Sequence, residues 1–211
     1  NIVAALISGF LMGLDVYIPM WMQGVLGKPA GLGGLVLAPM SIIWMYGSFL
    51  SGKLLRKYSV RSILIMGLTI ILFGGGTLLA LPQQSPFWLF FIITGVLGVG
   101  YGLSVTTTTV EAQASVPKEE IGVATSFNTL SRTIGQTVMV ALFGIILNVA
   151  NNHQLVKAKI TDLDSMNRLI NPHTALQIEV GLRMKLHKIL FNSLHWVYLA
   201  GLMLIIVALI F

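Results

Sequence analysis

The sequence predicts an all-α membrane protein in which six transmembrane helices form one bundle. Of the 211 residues, 55% are apolar and only 9% are charged, against about 25% charged in soluble domains. The mean hydropathy is +0.87. The apolar stretches are continuous, and they lack the strict alternation of polar and apolar residues that is typical of a membrane β-barrel.

Six apolar stretches are each long enough, at about 20 residues, to cross the hydrocarbon core of a bilayer as a helix. We number them as predicted spans one to six. They run over Ile2–Leu26, Leu32–Ser51, Ser62–Leu81, Phe87–Ser115, Ile121–Ala150 and Ile189–Phe211. The chain opens and closes inside apolar stretches, so we expect it to be a fragment of a longer protein whose residues 1–211 form one six-helix transmembrane domain.

The basic residues of the short connections predict the orientation in the cell membrane. Four of them lie between spans two and three and one between spans four and five, namely Lys53, Arg56, Lys57, Arg61 and Lys118. Only Lys28 lies between spans one and two, and no charge lies between spans three and four. Because short basic loops stay cytoplasmic, and long segments cross largely regardless of charge, we expect residues 151–188 to form a long extracellular loop.

That loop contains a second periodicity, with apolar residues at every other position from Leu176 to Leu186. A period of two predicts a strand, for which Val156, Ala158 and Ile160 offer a hairpin partner. A helical extension of span six is an equally good interpretation.

Span one has a polar face near the middle of the membrane. Ser8, Met12, Asp15, Pro19 and Gln23 follow a spacing of three or four residues and therefore share one face. Proline cannot donate a hydrogen bond to the carbonyl four residues before it, so a kink is expected beside the carboxylate. Bent helices at the midplane are where transporters build binding sites. The alternative is an aspartate satisfied by its neighbours.

Spans four and five have polar stripes of their own, and each contains an ionisable residue. Glu111 ends the stripe of span four, roughly 7 Å deep, and Arg132 lies roughly 18 Å beyond the loop in span five. By depth Arg132 can pair with Asp15 or with Glu111, and a static structural ion pair is the alternative to a functional one. Seven polar residues complete the predicted substrate cavity: Tyr17, Gln23, Ser104, Thr107, Thr108, Asn128 and Gln136.

Several other classes of function find no support in the sequence. It contains no cysteine, which excludes thiolate metal sites, and its four histidines lack a ligand spacing, so no metal and no cofactor is expected. No catalytic triad or carboxylate pair can be assembled, which argues against an enzyme. No basic run is interleaved with aromatic residues, so nucleic acid is not an expected partner.

Three stretches together resemble the C-terminal half of the major facilitator superfamily, and within it the fourteen-helix drug:proton antiporters of the EmrB/QacA type. They are DVYIPMWMQGVLG, GLGGLVLAPMSIIWMYGSFLSGKLLRKYSVRSILIMG and VEAQASVPKEEIGVATSFNTLSRTIGQ. Residues 52–61 resemble the cytoplasmic loop motif of the family, with matches at Gly52, Leu54, Lys57 and Arg61. Arg56 stands where the motif has an aspartate, so the latch role of that aspartate does not transfer.

The resemblance implies one six-helix half of a two-half transporter, in which spans one and four line a central cavity beside the N-terminal half. It also implies export of amphipathic or cationic compounds in exchange for protons. Asp15 is the expected proton carrier, with Glu111 as second choice and Arg132 as charge partner. An importer of a nutrient or organic ion and a membrane scaffold or sensor are the alternative functions.

Overall fold

A computed structural model describes residues 1–160, 162 and 165–211 of the protein, and throughout these residues the regular secondary structure is helical. Six helical stretches are long and apolar enough to cross a membrane, which confirms the predicted six spans. The long helices are α1 (Ile2–Gly24), α3 (Ala38–Leu54), α4 (Val60–Ala80), α5 (Trp88–Ala114), α6 (Ile121–Lys157) and α9 (Val180–Ile210). The short ones are α2 (Ala30–Leu35), α7 (Ser165–Ile170) and α8 (Pro172–Ala175), with a 3₁₀ turn at Lys118–Glu120.

The second span is interrupted, since α2 and α3 are separate helices on either side of Val36 and Leu37. Pro39 lies in the first turn of α3, where its missing N–H is tolerated, but it cannot extend α2. The Thr94 hydroxyl on α5 donates a hydrogen bond of 2.8 Å to the Val36 carbonyl oxygen. The break therefore leaves this carbonyl satisfied inside the bundle.

Helix α5 is the centre of the bundle and packs against α3 and against α4. Helix α1 packs against α6 and α9, and α9 closes the bundle against α4. The Trp21 ring joins three of these helices, with centroid distances of 5.3 Å to Phe90, 5.3 Å to Phe191 and 5.8 Å to Tyr198. The core thus lies where α1, α5 and α9 meet.

Glycines bring α3 and α5 into backbone contact. A β-carbon on Gly102 would lie 2.7 Å from the Gly47 Cα, and one on Gly98 would lie 3.1 Å from the Met40 Cα. Small residues allow this close approach between membrane helices. Gly98 and Gly102 of span four are therefore packing positions.

The connection between α6 and α9 differs from the predicted loop. Helix α6 continues to Lys157 and α9 begins at Val180, so the connection covers residues 158–179 rather than 151–188. The end of α6 has the geometry of a Schellman motif, since Ile160 N–H donates to the Leu155 carbonyl oxygen (3.0 Å) and Lys159 has a φ of 56°. The left-handed residue turns the chain back over the bundle.

The predicted hairpin is wrong, and the helical extension of span six is correct. Val156 lies in α6 and is exposed, and residues 180–186 belong to α9. Leu186 is fully buried whereas Met184 is 64% exposed. Burial thus follows the helical spacing of three to four residues through Leu186, Ile189 and Leu190, because one side of α9 packs on the core.

Candidate functional site

Asp15 lies on α1 and is half-buried. Its carboxylate makes no hydrogen bond or ion pair with another described residue. It is close enough to Tyr101 of α5 to act on it electrostatically, and the buried Tyr101 hydroxyl has no hydrogen-bond partner within the described part of the chain. A half-buried acidic group that has no ion-pair partner among the described residues therefore lies on a membrane-spanning helix.

Helices α1 and α6 cross closely at Ala5 and Gly9, about two to three turns before Asp15 along α1. A β-carbon on Gly135 would collide with the Ala5 backbone, and one on Gly9 would lie 3.2 Å from the Gly135 carbonyl oxygen. The crossing brings Arg132 to α1, where its Nε donates a hydrogen bond of 3.1 Å to the Ser8 hydroxyl. Hydrogen bonds from charged donors are stronger than neutral ones.

The partner of Arg132 is thus a neutral hydroxyl. Neither Asp15 nor Glu111 forms an ion pair with Arg132, and the ion pair present among the described residues joins Arg168 to Asp162. The expected pairing is therefore corrected: Ser8 lies on the facing side of the close crossing and accepts a hydrogen bond from the guanidinium Nε, while neither acid forms an ion pair with Arg132. Ser8 belonged to the predicted polar face, but its role as the partner was missed.

Three of the predicted cavity residues lie along the same helix pair. Tyr17 is 3% exposed and contacts Phe143 edge to face at a centroid distance of 6.3 Å. Gln136 follows Arg132 by one helical turn and is half-buried. Asn128 is buried, and its Nδ2 donates to the Asn1 Oδ1 (3.0 Å).

Two polar contacts between α5 and α6 were not predicted. The Gln113 Nε2 donates a hydrogen bond of 3.0 Å to the Thr125 hydroxyl, and the Thr109 hydroxyl lies 3.5 Å from the Asn128 Oδ1. On α6 both contacts involve the polar stripe of span five, to which Thr125 and Asn128 belong, whereas Thr109 and Gln113 lie outside the stripe predicted for span four. Helical spacing thus indicated one side of each contact, while the other side depends on how the helices pack.

Ser104 and Thr107 do not line an open cavity, which corrects the expectation for both. Each is fully buried between helices of the bundle. The Thr107 and Ser51 hydroxyls share a hydrogen bond of 3.0 Å across α5 and α3. Ser104 faces Gly67 of α4, and its hydroxyl has no partner among the described residues. Their helix is the most enclosed of the bundle, so its small polar residues act in packing.

Thr108 and Glu111 line a cavity of about 490 Å³ at the end of the bundle where α5 leads into α6. Glu111 is exposed there. It also lines a cavity of about 480 Å³ together with Arg61 and the last residue of α9, Phe211. Glu111 and the loop that contains Arg61 therefore lie at the same end of the bundle.

The residues that match the loop motif surround this end. Gly52, Lys57 and Arg61 are exposed, and Leu54 is half-buried. The Ser59 hydroxyl accepts a hydrogen bond of 3.3 Å from the Ser62 N–H and so caps the start of α4. The turn is thus held by local hydrogen bonding, while its basic side chains remain accessible.

Gln23 lies near the end of α1, at the opposite end of the bundle from Glu111. It lines a separate cavity of about 490 Å³ together with Lys28, Arg183 and His187. Within residues 1–160, 162 and 165–211 there is no group of three His, Cys, Asp or Glu residues able to hold a metal ion.

Six crossing helices with ionisable groups inside them define a multi-pass helical membrane protein. The family model of the Major Facilitator Superfamily matches residues 1–140. The match covers about two thirds of the chain, and the protein therefore belongs to this superfamily.

Known relatives extend the comparison. The chain is 26% identical to a multidrug transporter protein of Bacillus subtilis, MdtP, over 100% of its own length and 44% of the relative. It is 32% identical to multidrug resistance protein 3 of Bacillus subtilis, over 72% of the chain and 30% of the relative. A tetracycline resistance determinant of Streptomyces rimosus is 31% identical over 67% of the chain and 43% of the relative. The chain thus spans less than half the length of each of these relatives.

Proposed function

We propose that this chain is the C-terminal half of a proton-coupled exporter of amphipathic or cationic compounds, of the EmrB/QacA type. An N-terminal half of the same transporter is then the partner that completes a central cavity. The names of the three relatives support drug resistance as the biological setting. Their identities to this chain, from 26% to 32%, leave the substrates to experiment.

The observation that carries the proposal is the carboxylate of Asp15, which lies on a membrane-spanning helix without an ion-pair partner among the described residues. A carboxylate inside a membrane protein is stable when it holds a proton or when a cation lies beside it. No described residue forms an ion pair with Asp15, so no fixed partner among these residues neutralises its charge. Asp15 is therefore available to a mobile proton or a mobile cation.

Exchange of substrate for protons follows if a proton and a cationic substrate compete for the Asp15 carboxylate. Open to the outside, Asp15 takes a proton and loses its attraction for a cationic substrate. Open to the cytoplasm, it releases the proton and attracts the next substrate molecule. A ligand can shift a two-state equilibrium only through its different affinity for the two states, and here each ligand excludes the other.

Neighbouring residues have supporting roles in the proposal. Arg132 orients α1 against α6 through Ser8 and repels cations from the far side of the site. Gln136, which is half-buried, supplies amide surface for an amphipathic substrate, whereas Tyr17 and Asn128 are buried and support the helices around the site. Glu111 is exposed at that end, where water solvates it without a transport cycle, and so it is the second choice for the proton carrier.

The test is Asp15→Asn in the full-length transporter, which removes the charge and keeps the shape of the side chain. We expect normal accumulation in the membrane and loss of efflux of a cationic dye driven by a proton gradient in proteoliposomes. Glu111→Gln is the matched control, because it removes the same charge from an exposed position, and it should retain most of the activity.

If Asp15→Asn pumps at the wild-type rate with unchanged pH dependence, Asp15 is a structural residue and Glu111 becomes the first candidate. Proton-driven uptake of dye by the wild-type protein, with the same dependence on Asp15, would instead indicate an importer. No movement of substrate in either direction would indicate a scaffold or sensor.

The proposal includes an orientation, in which the turn at residues 55–59 faces the cytoplasm and residues 158–179 face outside. It rests on the positive charge of the short loop. Single cysteines at Ser59 and Gln177, both exposed, are suitable for labelling because the natural chain has no cysteine. An impermeant thiol reagent should label Gln177→Cys in intact cells, and Ser59→Cys only after lysis. The reverse pattern contradicts the orientation.

A further inference from the structure

The cavity that contains Gln23 has a cationic wall. It lies at the end of the bundle where α1 finishes and α9 begins, and its volume is about 490 Å³. The side chains of Lys28, Arg183 and His187 line it, and no carboxylate of a described residue does. Leu169 and Leu176 from the connection between α6 and α9 complete the wall on one side.

The basic groups reach this cavity from two separate parts of the chain. Arg183 and His187 are one turn apart on α9, so their side chains lie on the same face of the helix. Lys28 follows the turn at Gly27, whose φ is +62°, a conformation that favours glycine. The Lys28 N–H donates to the Met22 carbonyl oxygen (2.8 Å), which anchors the residue to the end of α1.

His187 is held in a fixed orientation. Its Nδ1 lies 2.6 Å from the Gly24 carbonyl oxygen. A carbonyl oxygen can only accept a hydrogen bond, so Nδ1 carries the hydrogen and Nε2 remains for a ligand. The same contact connects the cavity directly to the last turn of α1, the helix that contains Asp15.

The other polar groups of the cavity are not engaged. The side chains of Gln23, Lys28 and Arg183 make no hydrogen bond or ion pair with any residue that the structure describes. Two permanent cations, an imidazole and an amide therefore converge on one space, and no described residue offers a carboxylate there. Guanidinium and ammonium groups in this arrangement bind oxyanions through charge-assisted hydrogen bonds.

We propose that this cavity is a binding site for a phosphate group, either as the free ion or as the headgroup of an anionic lipid. A phosphate offers enough oxygen atoms for the donors of Gln23, Lys28 and Arg183, whereas a carboxylate offers only two, and a hydroxyl of the ligand can donate to Nε2 of the neutral His187 imidazole. The site lies where the membrane-spanning helix α1 ends, and the ends of a helix that crosses the hydrocarbon core come close to the headgroup region. This cavity is proposed to bind an anion, whereas Asp15 is proposed to bind a proton or a cation. The two proposals are therefore independent and can be tested separately.

The test uses the full-length protein, purified in an uncharged detergent, and follows its melting temperature. A ligand that binds only the folded state raises that temperature with its concentration. Inorganic phosphate is titrated at constant ionic strength against chloride, and short-chain phosphatidylglycerol is titrated against short-chain phosphatidylcholine. We expect stabilisation by phosphatidylglycerol, or by both phosphate and phosphatidylglycerol, beyond that given by chloride and phosphatidylcholine.

Four variants distinguish a specific binding site in this cavity from a general effect of positive surface charge. Arg183→Gln and Lys28→Gln should each weaken binding about tenfold, which corresponds to about 1.4 kcal/mol. Lys185→Gln is the matched control, since it removes the same charge from an exposed position on α9 outside the cavity. His187→Asn keeps a donor toward Gly24 and removes Nε2, so it should also weaken binding.

Each outcome is decisive. Binding of phosphatidylglycerol that depends on Arg183 and is not displaced by inorganic phosphate supports a lipid headgroup as the ligand. Displacement by inorganic phosphate supports the shared phosphate chemistry. The proposal is overturned if neither probe stabilises the protein more than its reference, or if Lys185→Gln weakens binding as much as Arg183→Gln.

Discussion

The helix pairs α3–α5 and α1–α6 both pack closely through glycines, but the polar groups beside the two crossings differ. Both cross where glycines remove the side chains, at Gly47 and Gly102 in the first pair and at Gly9 and Gly135 in the second. In the first pair the buried hydroxyls of Ser51 and Thr107 satisfy each other, and neither residues 40–51 of α3 nor residues 98–107 of α5 include an Asp, Glu, Lys or Arg.

The pair α1–α6 has a close crossing as well, but its polar groups are only partly satisfied. Arg132 bonds to Ser8, while Asp15 on the same helix as Ser8 has no ion pair with a described residue. Close glycine contact therefore does not by itself make a region purely structural. In this molecule the difference lies in whether the polar groups beside the crossing complete one another.

The largest loss of stability is expected for a substitution at the crossing of α3 with α5. Gly102→Ala places a methyl group 2.7 Å from the Gly47 Cα, and overpacking of this kind costs about 1–3 kcal/mol. The melting temperature of the full-length protein in detergent, together with its accumulation in the membrane, measures the loss.

Gly122→Ala is the matched control for that substitution. A β-carbon on Gly122 meets no atom within 4 Å, and alanine favours a helix by up to about 1 kcal/mol over glycine. The control should be neutral or slightly stabilising. If both alanine variants behave alike, the close contact between α3 and α5 is not a determinant of stability.

The contact between Arg132 and Ser8 should give the next largest effect. In a double-mutant cycle, Arg132→Gln and Ser8→Ala should be coupled by about 1–2 kcal/mol in the free energy of unfolding, since a hydrogen bond joins them. Arg132→Gln and Asp15→Asn should be additive within about 0.5 kcal/mol, because no ion pair links them.

Denaturation of the four variants of each cycle in mixed detergent measures both couplings. Strong coupling between Arg132 and Asp15, with rescue of Arg132→Gln by Asp15→Asn, would restore the ion pair that the sequence suggested. It would also remove the main support for Asp15 as a mobile-proton site.

The smallest effect is expected for the hydroxyl pair of the first crossing. Ser51→Ala should cost about 0.6 kcal/mol, which is typical of hydrogen bonds between membrane helices. Adding Thr107→Val should cost little more, because replacing both partners by apolar groups leaves no unsatisfied hydroxyl. Loss of transport in the double variant with a normal melting temperature would give these hydroxyls a role beyond packing.

Local patterns in the sequence were sufficient for the number of helices, their approximate ends and the residues that share a face. These features depend on hydrophobic length and on the helical repeat, both of which are properties of a continuous segment. Asp15 and Gln23 on α1, and Asn128, Arg132 and Gln136 on α6, were found in this way. The resemblance to the major facilitator superfamily also came from contiguous stretches, and the family match confirms it.

Only the tertiary structure decided which of these faces meet. Arg132 bonds to Ser8 rather than to an acid, and Ser104 and Thr107 are enclosed rather than open to a cavity. The sequence could not settle the alternation from Leu176 to Leu186 either, since the choice depends on the core that packs against α9. In the first two cases the physical reason is that small residues at a crossing set the distance between two helices, and depth along one helix contains no information about it. In the third case it is the burial of one side of α9, which depends on distant parts of the chain.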